Sequence, residues 1–262
     1  MKKNKTRLDI LLLDKNLVES RTVAQTLIMD GAVYVNGVKT IKPSTFVGED
    51  VEIILKEKLK YVSRGGLKIE KAFTEFGLNI KGGIALDIGA STGGFTDFLL
   101  QNGAEKVYCV DVGYGQLDYK LRNSDKVVNL ERLNVRNLTE EHVKEKADLV
   151  TIDTSFISVT KFLENLIRFI KEDGRVLILI KPQFEAGRKF VHKGGVVKDK
   201  QVHRDIIKNI ALFAGNIGLY IYELTVSPVK GPAGNTEYLA LFGFDKTKRI
   251  ADIEKKITEF VI

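Results

Sequence analysis

The 262-residue sequence predicts an α/β protein, in which a mostly parallel sheet covered by helices follows a small α+β module. From residue 84 onward, short apolar runs alternate with helical stretches, as strands and helices do in a parallel sheet. One of these runs, Ile84–Ile88, breaks into a glycine-rich turn that opens a helix. Before residue 61, two helical segments precede a hairpin signal, so this part is expected to fold separately.

The composition is that of a chain that can bury a full core. Hydrophobic residues make up 44% of the sequence. No apolar run approaches the roughly 18 residues that a membrane-spanning helix needs. The amino terminus is charged and lacks the apolar core of a signal peptide, so we expect a cytoplasmic protein without membrane association. The net charge of +7 favours an acidic partner, with nucleic acid as the first candidate.

Cysteine and histidine usage argues against two kinds of chemistry. The single cysteine, Cys109, stands in an apolar run, so we expect a buried packing residue and neither a disulfide nor a cysteine nucleophile. The three histidines lack metal-ligand spacing, and no metal site is expected.

Charged and turn-forming residues predict a domain boundary near residue 60. Residues 56–60 form a charged connector, and Ser63-Arg64-Gly65-Gly66 breaks the chain again before a helix. We therefore expect a first domain over residues 1–60, a linker at 61–66 and a second domain over 67–262.

The first domain is expected to contain two helices and three short strands. The leucines within residues 8–12 share one face of the first helix, and Ser20 caps the second helix, which Gly31 ends. Two strands joined by Asn36-Gly37, the strongest two-residue hairpin signal, come next, and a further strand is expected at 51–55. This domain holds 11 Lys and Arg against 8 Asp and Glu, so positive charge is denser here than in the rest of the chain.

The second domain is organised around residues 84–96. Ile84–Ile88 is nearly all apolar, as a strand covered on both faces must be, and a helix resumes at Phe95. Gly89 and Gly93 allow the backbone to approach a ligand closely, and the amide groups of the new helix face outward to meet it. The spacing departs from the dinucleotide pattern G-x-G-x-x-G, which argues against a nicotinamide cofactor.

A second apolar strand, Lys106–Val110, ends in Asp111, where α/β nucleotide-binding proteins place the carboxylate that holds ribose hydroxyls. A D-x-G-x-x-x-G turn followed by such an acid is typical of proteins that bind S-adenosylmethionine (SAM). The alternative is a tight glycine corner with an ordinary surface aspartate. The candidate cofactor-binding residues are Asp87, Gly89, Ala90, Ser91, Thr92, Gly93, Gly94, Asp111 and Asn134.

Further helices and strands complete the predicted sheet. A helix is expected at 67–76, and longer helices before Gly215 and at 250–260. Residues 185–200, rich in glycine and lysine, predict a mobile loop near the site, for which a plain connection is the alternative. The remaining strands are expected at 127–130, 149–152, 176–180, 220–226 and 238–242.

Polar residues stand where the carboxyl ends of neighbouring strands meet. Asp153 follows the fourth predicted strand and Lys181 follows the fifth. Because the last two strands are close in sequence, we expect them to pair antiparallel, which brings Glu237 to the same edge. Lys68, from the helix before the first strand, could join them. Each residue alone would more often be a surface charge or a structural ion pair, but four at one edge favour a catalytic site.

The same segments resemble the TlyA family of FtsJ-like ribosomal RNA 2′-O-methyltransferases, which are also labelled haemolysins. Asp30-Gly31-Ala32-Val33-Tyr34-Val35-Asn36-Gly37 and the two helices before it resemble an S4 RNA-binding domain. The resemblance to TlyA lies in the tetrad Lys68, Asp153, Lys181 and Glu237 and in the segments 63–66, 153–156, 181–185 and 231–237.

The resemblance implies a Rossmann-like, seven-stranded SAM-dependent methyltransferase sheet preceded by an S4 domain. It implies SAM as the cofactor and ribosomal RNA within ribosomal subunits as the partner, with the ribose of cytidine as the methylated group. Arg7 and Arg21 would flank the RNA-binding face, and Lys39 would be a further RNA contact.

In the implied reaction, the ribose 2′-hydroxyl loses its proton as its oxygen attacks the sulfonium methyl group. Lys181 is assigned as the base, because a second lysine nearby disfavours its ammonium form. Asp153 would orient Lys181, while Glu237 and Lys68 would position the ribose and balance charge. Two other classes stay open: a ribosome-binding assembly factor that uses SAM weakly or not at all, and a membrane-active haemolysin, which the lack of a spanning segment disfavours.

Overall fold

The computed structural model describes residues 5–29, 31–55, 60–231 and 233–261. The chain divides into two compact units, Met1–Lys60 and Tyr61–Ile262. None of the helices in the described ranges is long and apolar enough to cross a membrane.

In its described residues, the first unit combines two helices with short antiparallel strands. β2 (Val33–Val35) pairs with β3 (Val38–Thr40) and β5 (Ile53–Leu55), and β1 (Lys5–Arg7) pairs with β4 (Phe46–Gly48). Asn36 and Gly37, at the turn between β2 and β3, have φ angles of 50° and 77°, as the predicted hairpin requires. The sequence does not predict β1 and β4, because β1 is wholly polar and no short hairpin turn joins it to β4, about 40 residues further along the chain. The elements are β1 (Lys5–Arg7), α1 (Leu8–Asp14), α2 (Arg21–Met29), β2 (Val33–Val35), β3 (Val38–Thr40), β4 (Phe46–Gly48) and β5 (Ile53–Leu55).

The second unit begins earlier than the sequence predicts, because residues 61–66 are not a linker. Tyr61 is 3% exposed, and its ring centroid lies 5.5 Å from that of Phe98. The Val62 N–H donates to Asp97 Oδ2 over 2.8 Å. Burial of the Tyr61 ring stabilises its packing in the second unit. The sequence pattern does not indicate this burial, because the residues just before Tyr61 are charged.

The described part of the second unit contains one seven-stranded sheet. The helices and strands are α3 (Gly65–Phe76), β6 (Ile84–Ile88), α4 (Gly94–Gln101), β7 (Lys106–Val110), α5 (Tyr119–Arg122), β8 (Val127–Leu130), β9 (Ala147–Ile152), α6 (Leu163–Leu166), β10 (Ile170–Ile180), α7 (Pro182–Glu185), α8 (Lys200–Asn216), β11 (Tyr220–Val226), β12 (Tyr238–Gly243) and α9 (Ile253–Phe260). The strand order in the sheet is β11-β12-β10-β9-β6-β7-β8. The five strands β8, β7, β6, β9 and β10 run parallel, and β12 is antiparallel to both of its neighbours. This sheet confirms the predicted fold class.

Two apolar cores cover the two faces of the sheet, because successive strand residues point to opposite sides. Leu177 packs on the face that contains Ile69 of α3, whereas Ile178 packs on the face that contains Ile207 of α8. Cys109 is 1% exposed, and burial raises the pKa of its thiol, as befits a packing residue. With both faces covered, the carboxyl edge of the sheet is the place where polar side chains can gather.

Candidate active site

Strand ends place three members of the tetrad at one edge of the sheet. Asp153 follows β9, and Lys181 follows β10, its parallel neighbour. Glu237 precedes β12, and because β12 is antiparallel to β10, Ile180 pairs with Tyr238. Glu237 and Lys181 therefore lie side by side at this edge.

The tetrad is arranged as two ion pairs. Lys181 Nζ lies 2.5 Å from Asp153 Oδ1, and Lys68 Nζ lies 2.6 Å from Glu237 Oε2. Both lysines are 9% exposed and Glu237 is 1% exposed, so these charges are held in a desolvated wall. The sequence predicts one lysine beside the other, whereas in the structure each lysine is paired with its own carboxylate.

All four tetrad side chains line one cavity of 640 Å³. Lys181 Nζ also donates to Ser155 Oγ over 3.1 Å, and Gln183 Nε2 donates to Glu237 Oε1 over 3.2 Å. The tetrad is thus anchored by neutral polar groups from the loop that follows β9 and from α7, which follows β10. Such anchoring fixes the direction in which the Lys181 ammonium points.

Close packing of glycines positions Lys68. A Cβ atom on Gly94, at the start of α4, would lie 2.2 Å from Ser63 Oγ and 3.0 Å from the backbone nitrogen of Gly66. The amino-terminal ends of α3 and α4 can therefore meet only because Gly94 is bare, whereas a Cβ atom on Gly66 would lie 2.1 Å from Tyr61 Cγ. This contact explains the Ser63-Arg64-Gly65-Gly66 segment and sets the helix from which Lys68 reaches Glu237.

A second cavity of 480 Å³ adjoins the first and is lined by Asp111 and Asn134. Asp111 Oδ2 accepts from the Ser91 N–H over 2.8 Å, and Oδ1 accepts from the Gly113 N–H over 2.7 Å. Each carboxylate oxygen retains a further lone pair for a ribose hydroxyl. The two cavities share the lining residues Gly89, Ser91, Asp153, Ser155 and Phe156. This glycine corner with a strand-end carboxylate fits a nucleoside cofactor such as SAM.

The other predicted cofactor residues lie in three kinds of position. Ala90, Thr92 and Gly94 line the larger cavity. Gly93 lines neither cavity; its φ is 92°, and a Cβ there would lie 2.3 Å from Leu121 Cδ1, so its role is to admit a core leucine. Asn134 accepts from the Arg136 N–H at the rim of the smaller cavity.

Asp87 is fully buried in the wall of the larger cavity. Its carboxylate accepts from Thr96 Oγ1 over 2.7 Å and from Thr151 Oγ1 over 2.8 Å. Burial raises the pKa of Asp87 to about 6, and the two hydroxyl donors oppose that shift only in part.

Phe156 is a site residue that the sequence analysis does not single out. Its side chain is 90% exposed, it lines both cavities, and its φ of 66° is unusual for a bulky residue. The ring centroid lies 4.9 Å from that of Phe184. The sequence feature that could have indicated Phe156 is the presence of an aromatic residue in an otherwise polar loop at the end of a strand.

In the first unit, the two predicted RNA-binding arginines share one buried partner. Asp9, 0% exposed, accepts from Arg7 Nε and Nη2 over 2.9 Å each and from Arg21 Nε over 3.0 Å. These donors hold the pKa of Asp9 well below its usual range. Lys39 lies on β3, and the end of its side chain, including Nζ, lies over Gly31. Asp9 therefore presents the two guanidinium groups on one surface, a role invisible in the sequence pattern.

Comparison with known proteins identifies the family. Residues 61–244 match the FtsJ-like methyltransferase family, and residues 6–53 match the S4 domain. The chain is 40% identical to "16S/23S rRNA (cytidine-2'-O)-methyltransferase TlyA" of Mycobacterium tuberculosis, over 89% of this chain and 88% of the relative. It is 44% identical to "Hemolysin A" of Brachyspira hyodysenteriae, over 90% of this chain and 99% of the relative.

A solved structure extends this similarity to the fold of both units. A candidate hemolysin from Streptococcus thermophilus is 39% identical, with a TM-score of 0.74, and the match covers 98% of this chain and 96% of that chain. With both domain types in this order and relatives of this identity along most of its length, the chain belongs to the TlyA family of FtsJ-like methyltransferases that carry an S4 domain.

Proposed function

We propose that this chain is a SAM-dependent 2′-O-methyltransferase that modifies cytidine in ribosomal RNA within ribosomal subunits. The relative from Mycobacterium tuberculosis, named for cytidine 2′-O-methylation of 16S and 23S rRNA, supports the substrate. The observation that carries the proposal is the presence of two ion pairs, Lys181 with Asp153 and Lys68 with Glu237, in a cavity that adjoins the one containing Asp111.

The smaller cavity supplies the groups that would hold the cofactor. Asp111 offers carboxylate oxygens to ribose hydroxyls, and the Gly89–Ser91 turn gives the backbone close access. When bound, SAM supplies a methyl group on a positively charged sulfur, which makes that methyl carbon electrophilic. The larger cavity then receives the target ribose.

Lys181 is placed to accept the proton of the 2′-hydroxyl while the methyl group would pass from the sulfonium sulfur to the oxygen, so that the carbon–sulfur bond breaks as the carbon–oxygen bond forms. Asp153 and Ser155 hold its Nζ in a fixed position for that proton transfer. Asp153 then stabilises the ammonium ion that results. Lys68, held by Glu237, adds a positive charge beside the alkoxide that develops on the ribose.

The first unit and Phe156 supply contacts with RNA. Arg7 and Arg21 each retain N–H groups beyond those that bind Asp9, and these can contact phosphates. The exposed ring of Phe156 gives a base a face on which to stack beside the tetrad. We therefore assign sequence-independent binding of the RNA backbone to the first unit and placement of the target base to Phe156.

Replacement of Lys181 tests the mechanism. Lys181→Ala should lower methyl transfer from tritium-labelled SAM to ribosomal subunits by on the order of 10²–10⁴-fold, because it removes the base. Lys181→Arg should be as inactive, because arginine keeps its charge and cannot lose its proton at working pH. SAM affinity, measured by calorimetry, should change little in either variant.

Two results would contradict this assignment. Near-normal turnover by Lys181→Arg would make Lys181 a positioning cation and transfer the base role to another group. If the unmodified chain binds ribosomal subunits yet transfers no label, the chain would be a ribosome-binding assembly factor and not an enzyme.

A further inference from the structure

Gln183 stands beside the tetrad with only half of its amide engaged. It is the second residue of α7, two positions after Lys181, and it lines the larger cavity. Its Nε2 donates to Glu237 Oε1 over 3.2 Å, while the other oxygen of that carboxylate accepts from Lys68 Nζ. Gln183 is therefore part of the buried charged cluster, although it carries no charge.

Chemistry fixes the orientation of this amide. Turning it over would set Gln183 Oε1 against the Glu237 carboxylate, which would place two acceptors together with no proton between them. Oε1 therefore points away from Glu237. It is buried, and it has no hydrogen-bond partner anywhere in the described part of the chain.

The loop before β12 restricts this amide on its other side. A Cβ atom on Gly231 would lie 2.6 Å from Glu237 Oε1 and 3.5 Å from Gln183 Nε2, so the bare backbone packs against the pair. The amide has little room to swing toward another donor. A buried acceptor without a donor is unfavourable, and native proteins tend to keep one where catalysis or a bound molecule uses it.

The proposed function limits which donor can serve. In an RNA chain the 3′ and 5′ oxygens are esterified, so the 2′-hydroxyl is the only O–H of the ribose. Its proton goes to Lys181 in the proposed reaction, and one proton cannot serve two acceptors. The remaining donors of the nucleotide lie on its base, where cytosine presents an exocyclic N4 amine.

On the basis of that proposed function, we propose that Gln183 Oε1 accepts a hydrogen bond from the N4 amine of the target cytosine and so selects cytidine over uridine. Uracil carries a carbonyl oxygen in place of this amine and would face Oε1 as a second acceptor. A site built to pair with a polar group rejects the analogue that lacks it far more strongly than an apolar pocket rejects a change of one methylene.

The test compares two forms of the full chain on two substrates. The unmodified chain and Gln183→Met act on ribosomal subunits that carry cytidine or uridine at the methylated position. We expect the unmodified chain to prefer cytidine by about 100-fold or more in kcat/KM. Gln183→Met keeps the length of the side chain and removes the acceptor, so this preference should fall by at least tenfold.

The ratio between substrates separates base selection from support of Glu237. Loss of the Nε2 contact with Glu237 lowers both rates by one factor, whereas loss of the Oε1 acceptor changes the ratio. Gln201→Met is the matched control, because the exposed Gln201 on α8 donates to Asp205 and lies outside the cavity. Its cytidine preference should equal that of the unmodified chain. An unchanged melting temperature shows that each variant is folded, and Gln183→Ala is a second variant if Gln183→Met is not.

Two outcomes overturn the inference alone. An equal fractional loss on cytidine and uridine leaves Gln183 as a support for Glu237 and nothing more. A loss of SAM affinity that accounts for the whole effect identifies the donor as the ammonium group of SAM. By contrast, the absence of any transfer to cytidine by the unmodified chain overturns the proposed function, and this inference falls with it.

Discussion

Asp87 is kept from water by the fold and yet forms part of the cavity wall. Because its pKa is raised to about 6 by burial, the folded chain binds a proton here more tightly than the unfolded chain does. The stabilisation from this proton is present below the unfolded pKa of about 4 and is lost as the pH rises through about 6. At pH 7 the buried carboxylate therefore costs the fold on the order of 3 kcal/mol.

Removing this titration should change the pH dependence of stability. Asp87→Asn keeps a polar group for Thr96 and Thr151 without the buried charge. The quantity to compare is the free energy of unfolding of the variant minus that of the unmodified chain. We expect this difference to be more positive at pH 7.5 than at pH 4.5 by about 1–3 kcal/mol. Urea unfolding at the two pH values measures this.

Asp125→Asn is the control for that comparison, because Asp125 is exposed and its replacement should affect both pH values alike. If Asp87→Asn changes the free energy of unfolding by the same amount at both pH values, the folded chain does not raise the pKa of Asp87, and the buried carboxylate carries no penalty at pH 7.5.

At the scale of the element, the loop between β11 and β12 can pack against Glu237 because Gly231 has no side chain. Gly231→Ala would add a methyl group 2.6 Å from Glu237 Oε1, and Gly231 has no positive φ that would add backbone strain. Because Glu237 must move, we expect kcat to fall tenfold or more while SAM affinity is retained. Steady-state kinetics and calorimetric titration measure the two effects.

Gly215→Ala is the matched change in α8, where a Cβ meets nothing within 4 Å. It should leave kcat unchanged and raise stability by a few tenths to about 1 kcal/mol, because alanine is the better helix former. If Gly231→Ala retained full activity, the Glu237 carboxylate would tolerate displacement, and its fixed position would be irrelevant to turnover.

Elements that are buried on both faces are the ones that sequence predicts well. β6, β7 and β9 are apolar runs that end in a turn or a carboxylate, so their ends, and hence the positions of Asp111 and Asp153, follow from the pattern. β10 begins at Ile170, six residues before the predicted start. The sequence misses this part of the strand because its residues are largely polar and its pairing with β9 contains a register shift. Its functional end, at Lys181, is unaffected.

The sequence pattern does not predict the contacts between side chains of different helices and strands. No periodicity shows that Asp9 holds Arg7 and Arg21, or that Lys68 pairs with Glu237 across 169 positions of sequence. These contacts depend on tertiary packing, and charged residues look alike in a sequence whether they are solvated or buried. Family resemblance names the tetrad, but only the fold shows which lysine each carboxylate neutralises.

At the scale of the whole molecule, the division after Lys60 separates a unit that matches an S4 domain from one that matches a methyltransferase. Tyr61 and Val62 contribute to the second unit, through the contact with Phe98 and the hydrogen bond to Asp97. A fragment of residues 61–262 therefore contains every described tetrad and cavity residue together with its own core. Because this fragment lacks the first unit, we expect it to bind RNA more weakly than the full chain does.

Two truncated chains test this division. We expect residues 61–262 to fold and to bind SAM with the affinity of the full chain. Residues 67–262, which lack Tyr61 and the Val62 hydrogen bond, should be less stable by about 2–5 kcal/mol, because an aromatic core residue is lost. Thermal unfolding and SAM titration measure both effects.

The longer fragment also tests the use of the first unit. Methylation of ribosomal subunits by residues 61–262 should be slower than by the full chain at low substrate concentration, because the basic S4 unit no longer contributes docking. Raising the salt concentration should narrow the difference, since phosphate contacts weaken as counterions compete for them. Equal rates for the fragment and the full chain at all salt concentrations would show that the first unit has no part in substrate recognition. In that case Arg7 and Arg21 serve only the packing around Asp9.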